Sequence, residues 1–323
     1  MLYPYKDNET IPVILDGDPG HDDAIAWVLA KAEPRFDIRA VTVTAGNQTI
    51  DKTSLNARRI CTLLGIDAPI AAGRERPILR DLVLGSVFHG VSGLDGPKLP
   101  APAMELSELS AVELMAKTIK EAEKPVTIIA TGAQTNTASL LLAHPELKEK
   151  IAQISIMGGG LRTGNWNPAA EFNILVDPEA AQYEFHAGIP VNLCGLDVTE
   201  RALIYPENIE DIRSVGNQVS QIVAGWLDFF SIHHHELGYK GAPLHDPCAV
   251  LSLTHPEIFQ GDDFEVNVET QGEYCRGAIV ADFMHRNPEK ENVHCVMDVD
   301  QPKFVALIKE ACRSYGDREV PVV

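Results

Sequence analysis

The chain has 323 residues, 45% hydrophobic and 23% charged, with a mean hydropathy of −0.05, the make-up of a globular protein able to bury a large core. Its net charge of −19, from 46 acidic and 27 basic residues with no Lys/Arg-rich run, argues against nucleic acid or an anionic membrane as a partner. No stretch approaches the roughly 20 apolar residues of a membrane span, the start M-L-Y-P-Y-K-D-N-E-T lacks the apolar core of a signal peptide, and six scattered cysteines without a C-x-x-C pair read as buried free thiols in a cytoplasmic protein, not a disulfide scaffold or zinc site.

Pro12–Leu15 reads as a buried strand closed by Pro19-Gly20, and Asp22–Lys31 as a helix ended by Pro34. Between them four aspartates, Asp16, Asp18, Asp22 and Asp23, crowd into eight residues. Acids in a first helical turn suit the helix dipole, which accounts for Asp22 and Asp23 but not for Asp16 and Asp18. Like charges this close repel, and burial forces proton uptake unless a cation compensates. Oxygen ligands at a strand end point to calcium or magnesium. An EF-hand loop counted from Asp16 fails, because its Gly and Glu positions hold His21 and Trp27. A phosphatase-type D-x-D strand end is weakened by the Pro19-Gly20 that follows.

Ile38–Thr44 is the next strand, ending in Ala45-Gly46-Asn47, and Lys52–Leu64 a helix stopped by Gly65. Gly73–Pro102, rich in Gly and Pro, reads as a long functional loop carrying His89. Helix Ala111–Ala122, strand Val126–Ala130 ending at Thr131-Gly132, and strand Ile151–Met157 ending in three glycines follow. Asn165, Asn167, Glu171 and Asn173 then cluster beside an apolar segment. In extended chain Glu171 and Asn173 share a face, and amide and carboxylate groups so placed suit sugar hydroxyls. Asp177 caps a helix from Pro178 to about Ala187, before strand Val191–Cys194. Ile222–Leu237 is an amphipathic helix whose end, His233–His235, reads as solvated. His245-Asp246-Pro247 opens a helix through Leu253. Phe264–Val268, Ala278–Val280 and Val293–Val299 are β-rich, and a last helix spans Pro302–Cys312. The alternation predicts an α/β fold: a mostly parallel central sheet flanked by helices, a Rossmann-like open sheet in a single domain, residues 1–323. In such sheets ligands bind at the carboxyl ends of strands, where Asp18, Asn47 and Thr131 fall.

The signature D-x-D-P-G-x-D-D-A, with A-G-N at 45–47, M-G-G at 157–159, N-x-x-P-x-A-E-F-N-I from Asn165, D-P-E-A-A at 177–181, G-L-D-V-T at 195–199 and H-D-P at 245–247, resembles the inosine-uridine nucleoside hydrolase family along nearly the whole chain. The resemblance implies the nucleoside hydrolase fold and a calcium-dependent N-ribohydrolase, acting on small-molecule ribonucleosides as a homotetramer or homodimer. It implies that Asp18, Asp23, Asp246 and the carbonyl of Thr131 bind calcium. Asp22, Asn47, Asn165, Glu171 and Asn173 would contact ribose, and His89 and His245 the nucleobase, with Asp16 supporting the loop. Asp18 is the candidate general base and His245 the candidate acid for the departing base. Uridine and inosine are the expected substrates. Gln134 departs from the family pattern, which has Leu there, and puts a polar group near the site floor or a helix start. Two rivals on the same residues are a non-catalytic calcium-dependent ribose-binding protein and a phosphate-dependent nucleoside phosphorylase. The intact Asp18, His89, Glu171 and His245 set argues against the first, and the acid-rich pocket against the anion site the second needs.

Overall fold

The computed structural model describes residues 2–6 and 9–323. Eight strands build the central sheet: β1 (Ile11–Gly17), β2 (Phe36–Val43), β3 (Ile70–Ala72), β4 (Val126–Ala130), β5 (Ile151–Met157), β6 (Val191–Cys194), β7 (Phe259–Phe264) and β8 (Val293–Val299). They lie in the order β3-β2-β1-β4-β5-β6-β8-β7. Every pairing is parallel except that of β7 with β8.

Strands buried on both faces need apolar residues at every position, not at alternate ones. In β1 all seven residues are buried. Ile11, Val13 and Leu15 face one core with Ile25, Ile60, Trp226, Val250 and Phe304 from the helices His21–Ala32, Ile50–Leu64, Gln218–Glu236, Pro247–Thr254 and Gln301–Ser314. Ile14 faces the other, with Met115, Leu140 and Ala181 from the helices Ala111–Glu121, Thr135–Ala143 and Pro178–Phe185. Each such buried aliphatic contributes roughly 1.5–3 kcal/mol of transfer free energy.

The predicted α/β architecture is therefore present: β1, β2, β4, β5, β6 and β8 lie within two residues of their predicted bounds, whereas β7 shares only Phe264 with the predicted Phe264–Val268. Strand β3 and the helix Thr135–Ala143 lie outside the elements that periodicity predicts. Three residues are too few to show a pattern, and that helix is buried nearly all round, so it lacks an amphipathic stripe. The long loop 73–102 holds one short helix, Ser86–His89. The C-terminal β-region splits: β7 ends at Phe264, and Val266–Val268 pairs with Ile279–Ala281 as a separate ribbon. Five cysteines are buried free thiols, and Cys275 is an exposed one. Among the described residues no helix is long and apolar enough to cross a membrane.

Strand order positions the site. The chain runs outward from β1 through β2 to β3, then returns to start β4 on the other side of β1. The two connections leave in opposite directions, opening a crevice at the carboxyl ends of β1 and β4. At the sheet's far edges β3 is three residues long, and β7 exposes Gln260, Gly261 and Asp262.

Candidate active site

Asp16 lies at the end of β1 and Asp18 just past it, and Gly20 caps the helix that begins at His21, one residue before the predicted start. The Gly20 N–H donates to Asp23 Oδ2 at 2.9 Å. The Thr131 hydroxyl, after β4, donates to Asp23 Oδ1 at 2.6 Å. From the β2 loop the Asn47 backbone N–H donates to Asp18 Oδ2 at 2.6 Å, and its side-chain amide to Asp23 Oδ2 at 3.3 Å. Asp246, just ahead of the helix Pro247–Thr254, closes the group. A Cβ on Gly132 would lie 2.7 Å from Asp18 Oδ1, so only glycine lets the β4 loop pass this carboxylate.

Asp22, Asp23 and Asp246 each present a carboxylate oxygen within 4.8 Å of the others, and all three are buried. The ribose role implied for Asp22 thus coexists with a place among the acids. Asp18 stands beside them: Asp18 Oδ1 and Asp22 Oδ1 are buried without a hydrogen-bond partner. Burial, then repulsion from Asp23 and Asp22, raises the Asp18 carboxyl well above its usual range. Burial and Asp23 push Asp22 up to about 8. Asp246 is raised by burial and by Asp22, Asp23 and Asp18. Asp23 is raised too, by burial, and it hydrogen-bonds to Asp246, a contact two ionised carboxylates cannot make unaided. A hard divalent cation fits this set: all donors are oxygens, two are orphaned, and the charges need compensation. The Thr131 carbonyl accepts from the Asn173 amide at 2.8 Å and keeps a second lone pair.

Asp16 sits behind this group, as a supporting residue should. Its Oδ1 accepts from the Thr42 hydroxyl at 2.5 Å and from Asn136 Nδ2 at 2.9 Å, while burial pushes it up to about 7. Gln134 precedes the helix Thr135–Ala143 and turns its amide onto the Gly132 carbonyl at 2.8 Å, bracing the loop beside Asp18.

A cavity of about 340 Å³ opens above the acids, at the small end of ligand sites. Asp22, Asn47, Thr131, Asn165, Glu171, Asn173, Asp246, His89 and His245 line it. Glu171 and Asn173 do not share a face of extended chain, as their spacing predicts. Glu171 caps the helix Phe172–Val176, accepting from the N–H groups of Asn173 (2.9 Å) and Ile174 (3.2 Å), and from Gly159 at 2.7 Å. Unpaired N–H groups at a helix start outweigh the local extended preference. Asn165 Oδ1 accepts from the Phe172 N–H at 2.9 Å. Asn167 instead braces its own turn, accepting from Ala169 and Ala170, and does not line the cavity.

The lining also holds a cluster of rings in contact, Phe88, His89, Phe230, His234 and Tyr239, with the Tyr239 hydroxyl donating to Glu200 at 3.3 Å, while Phe172 packs against Trp166. The histidine run is not wholly solvated. Successive helical residues point in different directions, so His234 turns inward and is buried, its Nδ1 2.9 Å from the Phe230 carbonyl. His245 Nδ1 meets the Thr199 hydroxyl at 2.8 Å. Burial, then His234, holds His245 down to about 3, so its ring is neutral near pH 7. Sequence reasoning missed His21, Glu200 and Phe88, and it set the segment Phe229–Tyr239, with Phe230 and His234, over the base without giving either residue a role. Only His21 carried a signal, standing among the acids of D-P-G-H-D-D.

The family model described as inosine-uridine preferring nucleoside hydrolase matches residues 13–306. Proteins named pyrimidine-specific ribonucleoside hydrolase RihA, from Escherichia coli O127:H6 and from Escherichia fergusonii, are each 52% identical over 309 residues, covering 95% of this chain and 99% of theirs. Among solved structures, a purine-preferring ribonucleoside hydrolase from Gardnerella vaginalis superposes with a TM-score of 0.86 at 28% identity, over 94% of this chain and 99% of that one. The plant nucleoside hydrolase PpNRh1 gives 0.86 at 27%, with the same coverage.

Proposed function

The chain belongs to the inosine-uridine preferring nucleoside hydrolase family, and from that premise we propose that it hydrolyses pyrimidine ribonucleosides to free base and ribose with the help of calcium. The observation that carries this reading is one cavity lined both by clustered carboxylates with asparagines and by a cluster of aromatic rings and histidines. The two kinds of lining match the two halves of a nucleoside, a polyol and a flat heterocycle. The names of the 52%-identical relatives favour the pyrimidine class.

Asp18, Asp23, Asp246 and the Thr131 carbonyl would hold calcium, which supplies charge neutralisation and a template for oxygen ligands. Asp18, with Oδ2 pinned by Asn47 and Oδ1 free, takes the proton of the attacking water as general base. The remaining carboxylates lie close to the positive charge that develops on the sugar as the glycosidic bond opens. Asp22, Asn165, Glu171 and Asn173 hold the ribose, converting binding into orientation. The departing base meets His245. With Nδ1 engaged by Thr199, what the neutral ring offers a leaving base is a hydrogen bond, not a stored proton, and this narrows the acid role.

Purified protein incubated with uridine, cytidine, inosine and adenosine should release base and free ribose, fastest from uridine or cytidine. EDTA should stop the reaction and excess calcium restore it. Turnover that needs phosphate and yields ribose 1-phosphate would identify a phosphorylase instead, and no turnover with retained ribose binding would identify a binding protein.

Replacing His245 with alanine should reduce kcat/KM for uridine by roughly 10²–10³-fold, the range for leaving-group assistance. An aryl riboside whose leaving group departs unaided should lose less than about tenfold. Equal losses on both substrates would remove His245 from the leaving-group step.

A further inference from the structure

Glu200 lines the cavity and has no part in the reading above. It follows the short helix Leu196–Thr199, and its N–H meets the Leu196 carbonyl at 3.1 Å. Among the described residues, the only hydrogen bond to its carboxylate comes from the Tyr239 hydroxyl, 3.3 Å from Oε1. The adjacent cation is engaged elsewhere: Arg201 reaches the Asp197 carbonyl at 3.0 Å and Asp298 at 3.4 Å. Burial raises the Glu200 carboxyl above its usual range, and the bond from Tyr239 counters that.

Tyr239 owes its place to the way the helix Gln218–Glu236 ends. Gly238, at φ +88°, turns the chain through the left-handed region that other residues resist. Its N–H meets the His235 carbonyl at 3.0 Å, and the Tyr239 N–H meets the His234 carbonyl at 3.0 Å. This pair of bonds is a Schellman cap, which folds the residue after the glycine back onto the last helical turn. The side chains brought together are Tyr239 and His234, edge to face with centroids 5.7 Å apart.

The hydrogen-bonding ends of this cluster share one polarity. A carbonyl only accepts, so His234 Nδ1, 2.9 Å from the Phe230 carbonyl, carries the hydrogen. Burial lowers the ring's affinity for a second proton, which leaves Nε2 an acceptor. Tyr239 gives its hydrogen to Glu200 and keeps its lone pairs. Glu200 Oε2 is unengaged, and an ionised carboxylate can only accept. No lysine or arginine is among the described residues that line the cavity. Such a lining discriminates between pyrimidines. Uracil carries at its 4-position a carbonyl, an acceptor, where cytosine carries an amino group with two N–H donors. Setting acceptor against acceptor leaves both unpaired, which costs more than a good pairing gains.

We propose that Glu200, held by Tyr239, is a specificity-determining residue that selects the exocyclic amino group of cytosine over the carbonyl of uracil. This rests on the nucleoside hydrolase reading and deepens it, naming cytidine as the preferred substrate within the pyrimidine class.

At pH 8, well above the ordinary carboxyl range of about 4.3, wild type should favour cytidine over uridine by about tenfold in kcat/KM, within the range of one hydrogen bond to a charged group. The two bases also differ in how readily they leave, so the decisive reading is the change of that ratio in Glu200→Gln. Glutamine keeps the shape and offers an N–H to a carbonyl, so the ratio should fall about tenfold. N4,N4-dimethylcytidine, with no N–H at that position, should be handled no better than uridine by wild type, whereas N4-methylcytidine, which retains one, should stay close to cytidine. A ratio that Glu200→Gln leaves unmoved in active protein overturns the proposal.

Binding supplies an arm without turnover. In Asp18→Asn with calcium, calorimetric titration should give cytidine a Kd about tenfold below that of uridine, and adding Glu200→Gln should bring the two together. Absence of hydrolysis by wild type with this binding difference intact would remove the hydrolase reading and leave the selection by Glu200 standing. Equal Kd values, or no binding of either nucleoside, would overturn the proposal.

Discussion

Asp18→Asn is expected to abolish turnover of uridine, by at least about 10³-fold in kcat, while the protein folds and still binds ribose. The amide keeps the shape of the carboxylate, and its oxygen can still accept from the Asn47 N–H. What disappears is the ability of the free oxygen to take a proton. Glu171, Asn165 and Asn173 stand on other elements and are held by their own backbone contacts. Ribose affinity should therefore change far less than kcat. Steady-state kinetics together with calorimetric titration of ribose will check this, and turnover within tenfold of wild type would assign the base elsewhere.

The second large effect concerns stability. Folded-state values of about 8 for Asp22 and about 7 for Asp16, with Asp18, Asp23 and Asp246 also raised, lie above the roughly 3.9 of an unfolded aspartate. Through these acids the native chain binds more protons than the unfolded one between pH 4 and 8, whereas His21, His89, His234 and His245, held below the ordinary imidazole value by burial, bind fewer below about pH 6.5. Above about pH 6.5, where those rings are mostly neutral folded or unfolded, the acids set the sign: without metal, stability falls as pH rises towards 8. Calcium competes with those protons, so it should stabilise most where they have been lost. In EDTA the Tm should drop by about 5–10 °C between pH 6.5 and 8. Saturating calcium should flatten or reverse the slope and raise Tm far more at pH 8 than at pH 5.5. Parallel curves with and without calcium would mean that the ion does not bind among these acids.

Much of this was legible from residues alone, for identifiable reasons. β1 and β4 declare themselves because strands buried on both faces are uninterrupted apolar runs, and the motifs fall where those runs stop. Asp18, Asp22 and Asp23 were conspicuous because four acids crowd into eight residues and the helix dipole explains only Asp22 and Asp23. The histidine wall was less visible. His234 looks like one of three adjacent surface histidines until the helix Gln218–Glu236 is set against the cavity, and only tertiary packing says which of three consecutive side chains turns inward. Glu171 was found as a site residue but given the wrong backbone, because Glu171-Phe172-Asn173-Ile174 alternates polar and apolar residues as a strand does. His21 was hidden by its neighbours, whose chemistry explained the segment without it.

The sheet's two ends carry a consequence for assembly. A terminal strand three residues long offers too short a ladder to recruit a partner, and the other border presents Gln260, Gly261 and Asp262 to water. Exposed polar and charged residues on a rim oppose strand-by-strand annealing between molecules. Neither end of the central sheet therefore favours extension into a second copy, so contact between copies elsewhere on the surface leaves the hydrogen-bonded frame beneath the acids untouched.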